Sequence, residues 1–307
     1  MLKTVYFLLN EKDREDPKIS GDIAETVRYI KECGYESAAA YGICEFMKAM
    51  SDMDMATTLI ATDLAEEGKE LLNKGYYVVG IQFEGQDDMS FPEARYIFGD
   101  LTEVDMDSFV KAYQRYAGEP WEVMRTDRLI IRETTLEDVD EFYRIYADPE
   151  MTRYMEGLFE DPEDEKRYQK DYIEKVYGLM GFGVWTLIRA EDGRIIGRAG
   201  YSVRNGCDNV ELGFLVGTQF QRQGYALEAC RAILDYGRDV LQLESVQTLV
   251  KSENVASIRM CEKLGFEILD EVNVEENIYG NQYRGGKRIE MGQTRYGKYV
   301  RMIKHLL

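Results

Sequence analysis

The chain has 307 residues, with 57 Asp+Glu against 38 Lys+Arg and a formal net charge of -19. That field would repel a nucleic-acid backbone, and no basic stripe compensates for it, so nucleic-acid binding is excluded from the expected functions. Hydrophobic residues make up 45%, enough to core two domains, yet no apolar run nears the roughly 18 residues of a membrane-spanning helix.

The single histidine, His305, excludes Ser-His-Asp and Cys-His catalysis and H-E-x-x-H zinc sites. The five cysteines, Cys33, Cys44, Cys207, Cys230 and Cys261, form no C-x-x-C pair, so neither a disulfide framework nor a metal site is expected.

From the N-terminus, residues 4–9 (TVYFLL) read as a strand, too short for a signal-peptide core and followed at once by charge. A cytoplasmic protein is expected. Segments 21–33 and 36–50 read as helices, 57–62 as a buried strand, 65–73 as a helix ended by Lys74-Gly75, and 77–83 and 95–98 as strands. This spacing predicts parallel crossover units. Met47, Met50, Met53 and Met55 read as core filler. A boundary falls near Gly118-Glu119-Pro120-Trp121, dividing a small Rossmann-like α/β domain, 1–122, from a second domain, 123–307.

In the second domain, 129–133 reads as a strand, 136–147 as an amphipathic helix with Val139, Phe142 and Ile145 on one face, and 148–162 as a loop or broken helix. A helix over 164–177 precedes strands 181–189 and 194–203, joined by the turn chemistry of Glu191-Asp192-Gly193. Strand 209–216, helix 224–240, strand 245–251, helix 254–264 and strands 266–272 and 296–303 complete the reading.

The chemistry concentrates in NVELGFLVGTQFQRQGYALEACRAI, residues 209–233. A strand ends at Val216-Gly217, and QRQGYA, residues 221–226, opens a helix. Gly224 and Ala226 let a phosphate approach the backbone, and the first free helix N–H groups would then face it. No G-K-[ST] follows, so the loop is not a P-loop. Gly224 also reads simply as a helix-start glycine, Asn254 as an N-cap, and Gly265 as a helix C′ glycine with Phe266 as its apolar partner.

With these blocks in order, the sequence resembles the GNAT superfamily of N-acetyltransferases, in particular its ribosomal-protein N-terminal acetyltransferase branch. The family's Q/R-x-x-G-x-G/A motif is matched by Gln221, Gly224 and Ala226. NVASIRMCEKLGFE (254–267) resembles its N-x-x-S helix, and RTDRLIIRETTLEDVDEFYRIYADPEMTRYM (125–155) its opening strand and helix. The resemblance implies a mixed sheet flanked by helices, acetyl-CoA as co-substrate, and no metal.

By position, Gln221, Arg222, Gln223, Gly224, Tyr225 and Ala226 would hold the pyrophosphate. Phe214, Leu215 and Val216 would line the pantetheine arm, and a backbone N–H near Leu215 or Val216 would polarise the thioester. Asn254 would also touch the arm. Glu211 is either a solvated or ion-paired strand glutamate or the base that takes a proton from the ammonium. Cys261 stands where many relatives carry a tyrosine that protonates the thiolate. It reads either as a small core residue or as a catalytic thiol, with Ser257 as another polar group near the sulfur. Tyr154, Glu156 and Tyr201 are candidates for the acceptor pocket.

The implied function is acetyl transfer to a primary amine, on a peptide N-terminus or a small molecule, by direct attack in a ternary complex. A homodimer is left open, and neither membrane nor nucleic acid is an expected partner. The alternative is a catalytically weak acyl-CoA sensor whose N-terminal domain is the output. A third reading seats a phosphate-ester hydrolase in the first domain, which faintly resembles the haloacid-dehalogenase core. There Asp63 follows a strand, but Ala65 occupies the place of the partner aspartate.

Overall fold

The computed structural model describes residues 1–50, 53–84, 91, 93–204, 209–276, 283 and 295–307; Cys207 lies outside them. Contacts divide the chain into two units, Met1–Trp121 and Glu122–Leu307.

The first unit contains β1 (Thr4–Leu9), α1 (Pro17–Glu32), β2 (Glu36–Tyr41), α2 (Ile43–Met50), β3 (Thr58–Thr62), α3 (Ala65–Asn73), β4 (Tyr77–Ile81), β5 (Ile97–Phe98) and α4 (Met106–Ala117). Its sheet runs β2-β1-β3-β4-β5, with every pairing parallel. Phe7, Ile23 and Phe109 pack on one face, and Leu8, Phe46 and Leu71 on the other. Central strands buried on both faces explain the nearly continuous apolar runs of β1 and β3.

Three expectations change here. Residues 36–50 are not one helix: Glu36–Tyr41 pairs with β1 from Thr4↔Glu36 to Leu9↔Tyr41. Gly42, at φ +90, then turns the chain into α2. The alanines favour a helix, but an open edge beside β1 outweighs that preference. Helix α4, which the sequence reading leaves unassigned, is capped by Asp105, whose carboxylate accepts from Ser108 N at 2.8 Å, and ends at Gly118 with φ 69. Among the methionines, Met50 and Met53 pack against the core, whereas Met47 and Met55 are exposed.

The second unit contains β6 (Glu122–Arg125), β7 (Leu129–Arg132), α5 (Val139–Tyr146), α6 (Pro162–Tyr172) continued by a π-helical turn over Ile173–Tyr177 into α7 (Gly178–Met180), β8 (Val184–Arg189), β9 (Ile195–Ser202), β10 (Val210–Val216), α8 (Tyr225–Asp239), β11 (Ser245–Lys251), α9 (Val255–Lys263), β12 (Glu267–Glu276) and β13 (Arg295–His305). The order is β12-β13-β11-β10-β9-β8-β7-β6, antiparallel except for the central pair β10–β11. Trp185, Leu212, Val246, Ile233 and Cys261 fill the core on the face covered by α8 and α9. Ile145, Met151 and Leu215 pack on the opposite face.

One feature of this sheet positions the site. The parallel strands β10 and β11 pair only at Val210↔Val246 and Glu211↔Gln247. Beyond that rung β10 stays with β9 as far as Val216↔Gly197, and β11 stays with β13 as far as Lys251↔Tyr299. The sheet therefore forks toward the carboxyl ends of this parallel pair.

Candidate active site

The ladder fixes which backbone groups face the fork. Gly217 N donates to Ile196 O at 2.8 Å, continuing the β9–β10 register by one residue. In an antiparallel ladder the residues that exchange hydrogen bonds alternate, so Gly213 and Leu215 direct their backbone groups to β9. Those of Leu212, Phe214 and Val216 face the fork. The Val216 carbonyl is already taken, accepting from Gln221 Nε2 at 3.0 Å. Of the two N–H groups expected near the thioester, that of Leu215 faces β9 and that of Val216 faces the fork, as does that of Phe214.

At the mouth, β10 runs through a short turn into the loop before α8. Arg222 at φ 59 and Gly224 at φ 86 are both left-handed, and such alternation turns successive N–H groups to one side. Gly224 is the α8 N-cap and supplies no side-chain cap bond, so the first helix N–H groups lack a side-chain acceptor there. The Gln221 and Gln223 side chains build the loop, bonding Val216 O and, at 3.0 Å, Gln219 O.

Arg128, which the sequence reading missed, donates from Nη1 to Gln223 O at 3.0 Å and from Nε to Glu228 Oε2 at 2.7 Å. Its guanidinium lies 4.5 Å from the Tyr225 ring centroid. A fixed cation thus stands beside the loop. Nothing near Gly224 in sequence signals it, because 95 residues separate Arg128 from Gln223.

On β11's side of the mouth, Asn254 Oδ1 accepts from Ser257 N at 3.2 Å and caps α9. Gly265, at φ 85, closes that helix, and Phe266 N donates back to Cys261 O at 3.0 Å.

Two candidate residues leave the site. Tyr201 is fully buried on the α8 face, its hydroxyl donating to Ile233 O at 2.8 Å. Gly237 permits this approach, since a Cβ there would lie 2.3 Å from the hydroxyl. Tyr201 is a core residue and does not line an acceptor pocket. Cys261 is likewise fully buried, and burial pushes its thiol up to about 12. Of its two readings, packing between α9 and β11 favours the small core residue.

Glu211 sits on the other face, at the root of the fork. Arg204 Nε donates to its Oε2 at 2.6 Å. Met151 packs on Leu215 of that face, which brings the segment after α5, with half-buried Tyr154 and exposed Glu156, to the same side. Further along, Tyr299 donates to Glu276 Oε1 at 3.0 Å and Lys251 pairs with the same oxygen at 2.9 Å. The Tyr299 phenol is raised by burial first, then by Glu276, with Glu156 adding to the effect. Arg204, Gln247, Lys251, Glu276 and Tyr299 escaped the sequence reading because they join the site only through strand pairing.

In the first unit, Asp63 is buried and accepts from Asn10 N at 3.0 Å. Burial and the neighbouring Asp13 raise its pKa. With only 2% of its surface exposed, Asp63 is poorly placed to meet a phosphate ester, which weighs against the hydrolase reading. Among the described residues no group of three or more His, Cys, Asp or Glu is placed to hold a metal ion. No helix among them is long and apolar enough to cross a membrane.

Residues 128–267 match the model of the acetyltransferase (GNAT) domain. The chain is 30% identical over 152 residues to the uncharacterized N-acetyltransferase p20 of Bacillus licheniformis, covering 48% of this chain and 83% of that protein. Over 86 residues it is 34% identical to the spermidine N(1)-acetyltransferase of Escherichia coli K12, covering 28% of this chain and 46% of that protein. The crystal structure of a GNAT-family acetyltransferase from Bacillus anthracis superposes with a TM-score of 0.45 at 20% identity, over 60% of this chain and 98% of that one. The protein is an acyltransferase. It belongs to the GNAT family of N-acetyltransferases.

Proposed function

We propose that the second unit transfers the acetyl group of acetyl-CoA to a primary amine by direct attack within a ternary complex. The observation that carries this reading is the fork: two parallel strands part after Glu211↔Gln247, and the left-handed Arg222–Gly224 loop lies at its open end. An extended pantetheine arm fits between strands whose backbone groups face the gap, and a pyrophosphate fits an uncapped helix N-terminus.

In this reading Phe214 presents its backbone N–H to the thioester carbonyl. Phe214, Leu215 and Val216 form the β10 wall, and Asn254 and Ser257 lie across the mouth. Arg222, Tyr225 and Ala226 complete the phosphate loop, with Arg128 adding charge. Glu211 accepts a proton from the acceptor ammonium, the neutral nitrogen bonds to the acetyl carbon, and the second proton that this nitrogen sheds passes through solvent to the departing sulfur. The carbon–sulfur bond then breaks. With Cys261 in the core, no side chain is assigned to protonate the thiolate; a thiol pKa near 8.5 makes it a tolerable leaving group.

A cationic amine is the acceptor class to test first, and spermidine, the acceptor in the Escherichia coli relative's name, belongs to that class. The test is CoA release from acetyl-CoA with a panel holding spermidine and an N-terminal alanine peptide. Release with at least one of them supports transfer. Binding of acetyl-CoA without release from any amine overturns it in favour of the sensor reading.

A further inference from the structure

Gln247 occupies the last paired rung of the fork, its Cα opposite that of Glu211. It is only 2% exposed, and its amide Nε2 finds no acceptor among the described residues. Neighbouring Val246 and Val250 enter the core under α8 and α9. Alternation along the strand therefore places Gln247 on the opposite face. Glu211 shares that face, since its neighbour Leu212 joins the same core.

A buried donor without an acceptor destabilises a strand, and a methionine would fill the same volume without that cost. A glutamine there is explained by something it holds. Glu211 binds Arg204 through Oε2, and an ionised carboxylate offers several acceptor positions. One buried amide donor and one carboxylate on adjacent strands supply two partners for a single water.

We propose that Gln247 is a positioning residue whose Nε2 donates to a water that also donates to Glu211, and that the acceptor's proton leaves through this water. The ammonium passes a proton to the water as the water passes one to Glu211. The water is regenerated, and the neutral amine attacks. This rests on Glu211 acting as the base.

The experiment compares Gln247→Met, Gln247→Asn and Glu211→Gln in the full chain, with spermidine as acceptor, or the alanine peptide where the wild type prefers it. Gln247→Met should leave the acetyl-CoA Kd unchanged and keep or raise the thermal midpoint, while kcat falls about tenfold, the loss of one hydrogen bond. Gln247→Asn keeps an amide donor and should recover most of kcat. A Gln247→Met enzyme with wild-type kcat overturns the proposal. So does a parallel fall of midpoint and kcat in both Gln247 variants, which marks packing alone. If Glu211→Gln retains turnover, the base reading fails and takes the proposal with it. If Glu211→Gln loses turnover and Gln247→Met does not, only the role of Gln247 falls.

Discussion

Arg204 and Glu211 form a two-point contact at the root of the fork, with Nε 2.6 Å from Oε2 and Nη2 3.4 Å from Oε1. The contact fixes the carboxylate's orientation on the face opposite the α8 core. A lysine-like amine is almost wholly protonated at neutral pH, so a positioned acceptor of its proton carries much of the rate. Glu211→Gln keeps the size and one acceptor oxygen for Arg204 but removes the basicity. Acetyl-CoA binding should persist while turnover at neutral pH falls by about 10²–10⁴-fold. Part of that loss should return at high pH, where more of the amine is already neutral. A pH–rate profile of the two proteins checks this.

Gly224 is the second test. At φ 86, with a Cβ built there lying 3.3 Å from Arg128 Nη2, any side chain strains the backbone and crowds the Arg128 guanidinium beside the loop. Glu would also bring negative charge to the phosphate site. Gly224→Glu should abolish acetyl-CoA binding by calorimetry, with the backbone strain costing about 1–2 kcal/mol and the far-UV spectrum unchanged.

Cys261 gives the converse. Because it is a buried neutral thiol beside Thr248, Cys261→Ala should leave turnover unchanged and lower stability by about 1–2 kcal/mol through the small cavity it creates. Loss of turnover without loss of stability would return the thiol to the mechanism.

The first unit carries its own pH dependence. Burial and the adjacent Asp13 raise the Asp63 carboxyl to about 8, above its unfolded value near 4. The folded state therefore binds more protons between those limits. The associated stability is fully present below about pH 4 and is lost as the pH rises through about 8. The thermal midpoint of this unit should fall over that window, and Asp63→Asn should flatten the dependence.

The division into Met1–Trp121 and Glu122–Leu307 predicts that a fragment of residues 123–307, holding the fork and the loop, folds and binds acetyl-CoA alone. A circular dichroism spectrum of an unfolded chain from that fragment would count against it.

What the sequence determined by itself is local. The Gln221–Ala226 loop, the Asn254 cap, the Gly265 stop and the Asp192-Gly193 turn each depend on residues a few positions apart. Gly193, at φ 71, closes its turn with Gly193 N donating to Arg189 O at 2.9 Å. Short-range chemistry of this kind is written in consecutive residues. Tertiary structure decided the rest. Strand alternation shows that Glu211 and Leu212 face opposite ways, but only the packing of α8 shows which way is inward. It sends Tyr201 to the core and leaves Glu211 at the fork. Pairing across 36 residues brings Gln247 beside Glu211, and no local pattern encodes that contact. The edge of β1 likewise turns an alanine-rich segment from helix to strand, because backbone pairing in a sheet outweighs a propensity worth a few tenths of a kcal/mol per residue.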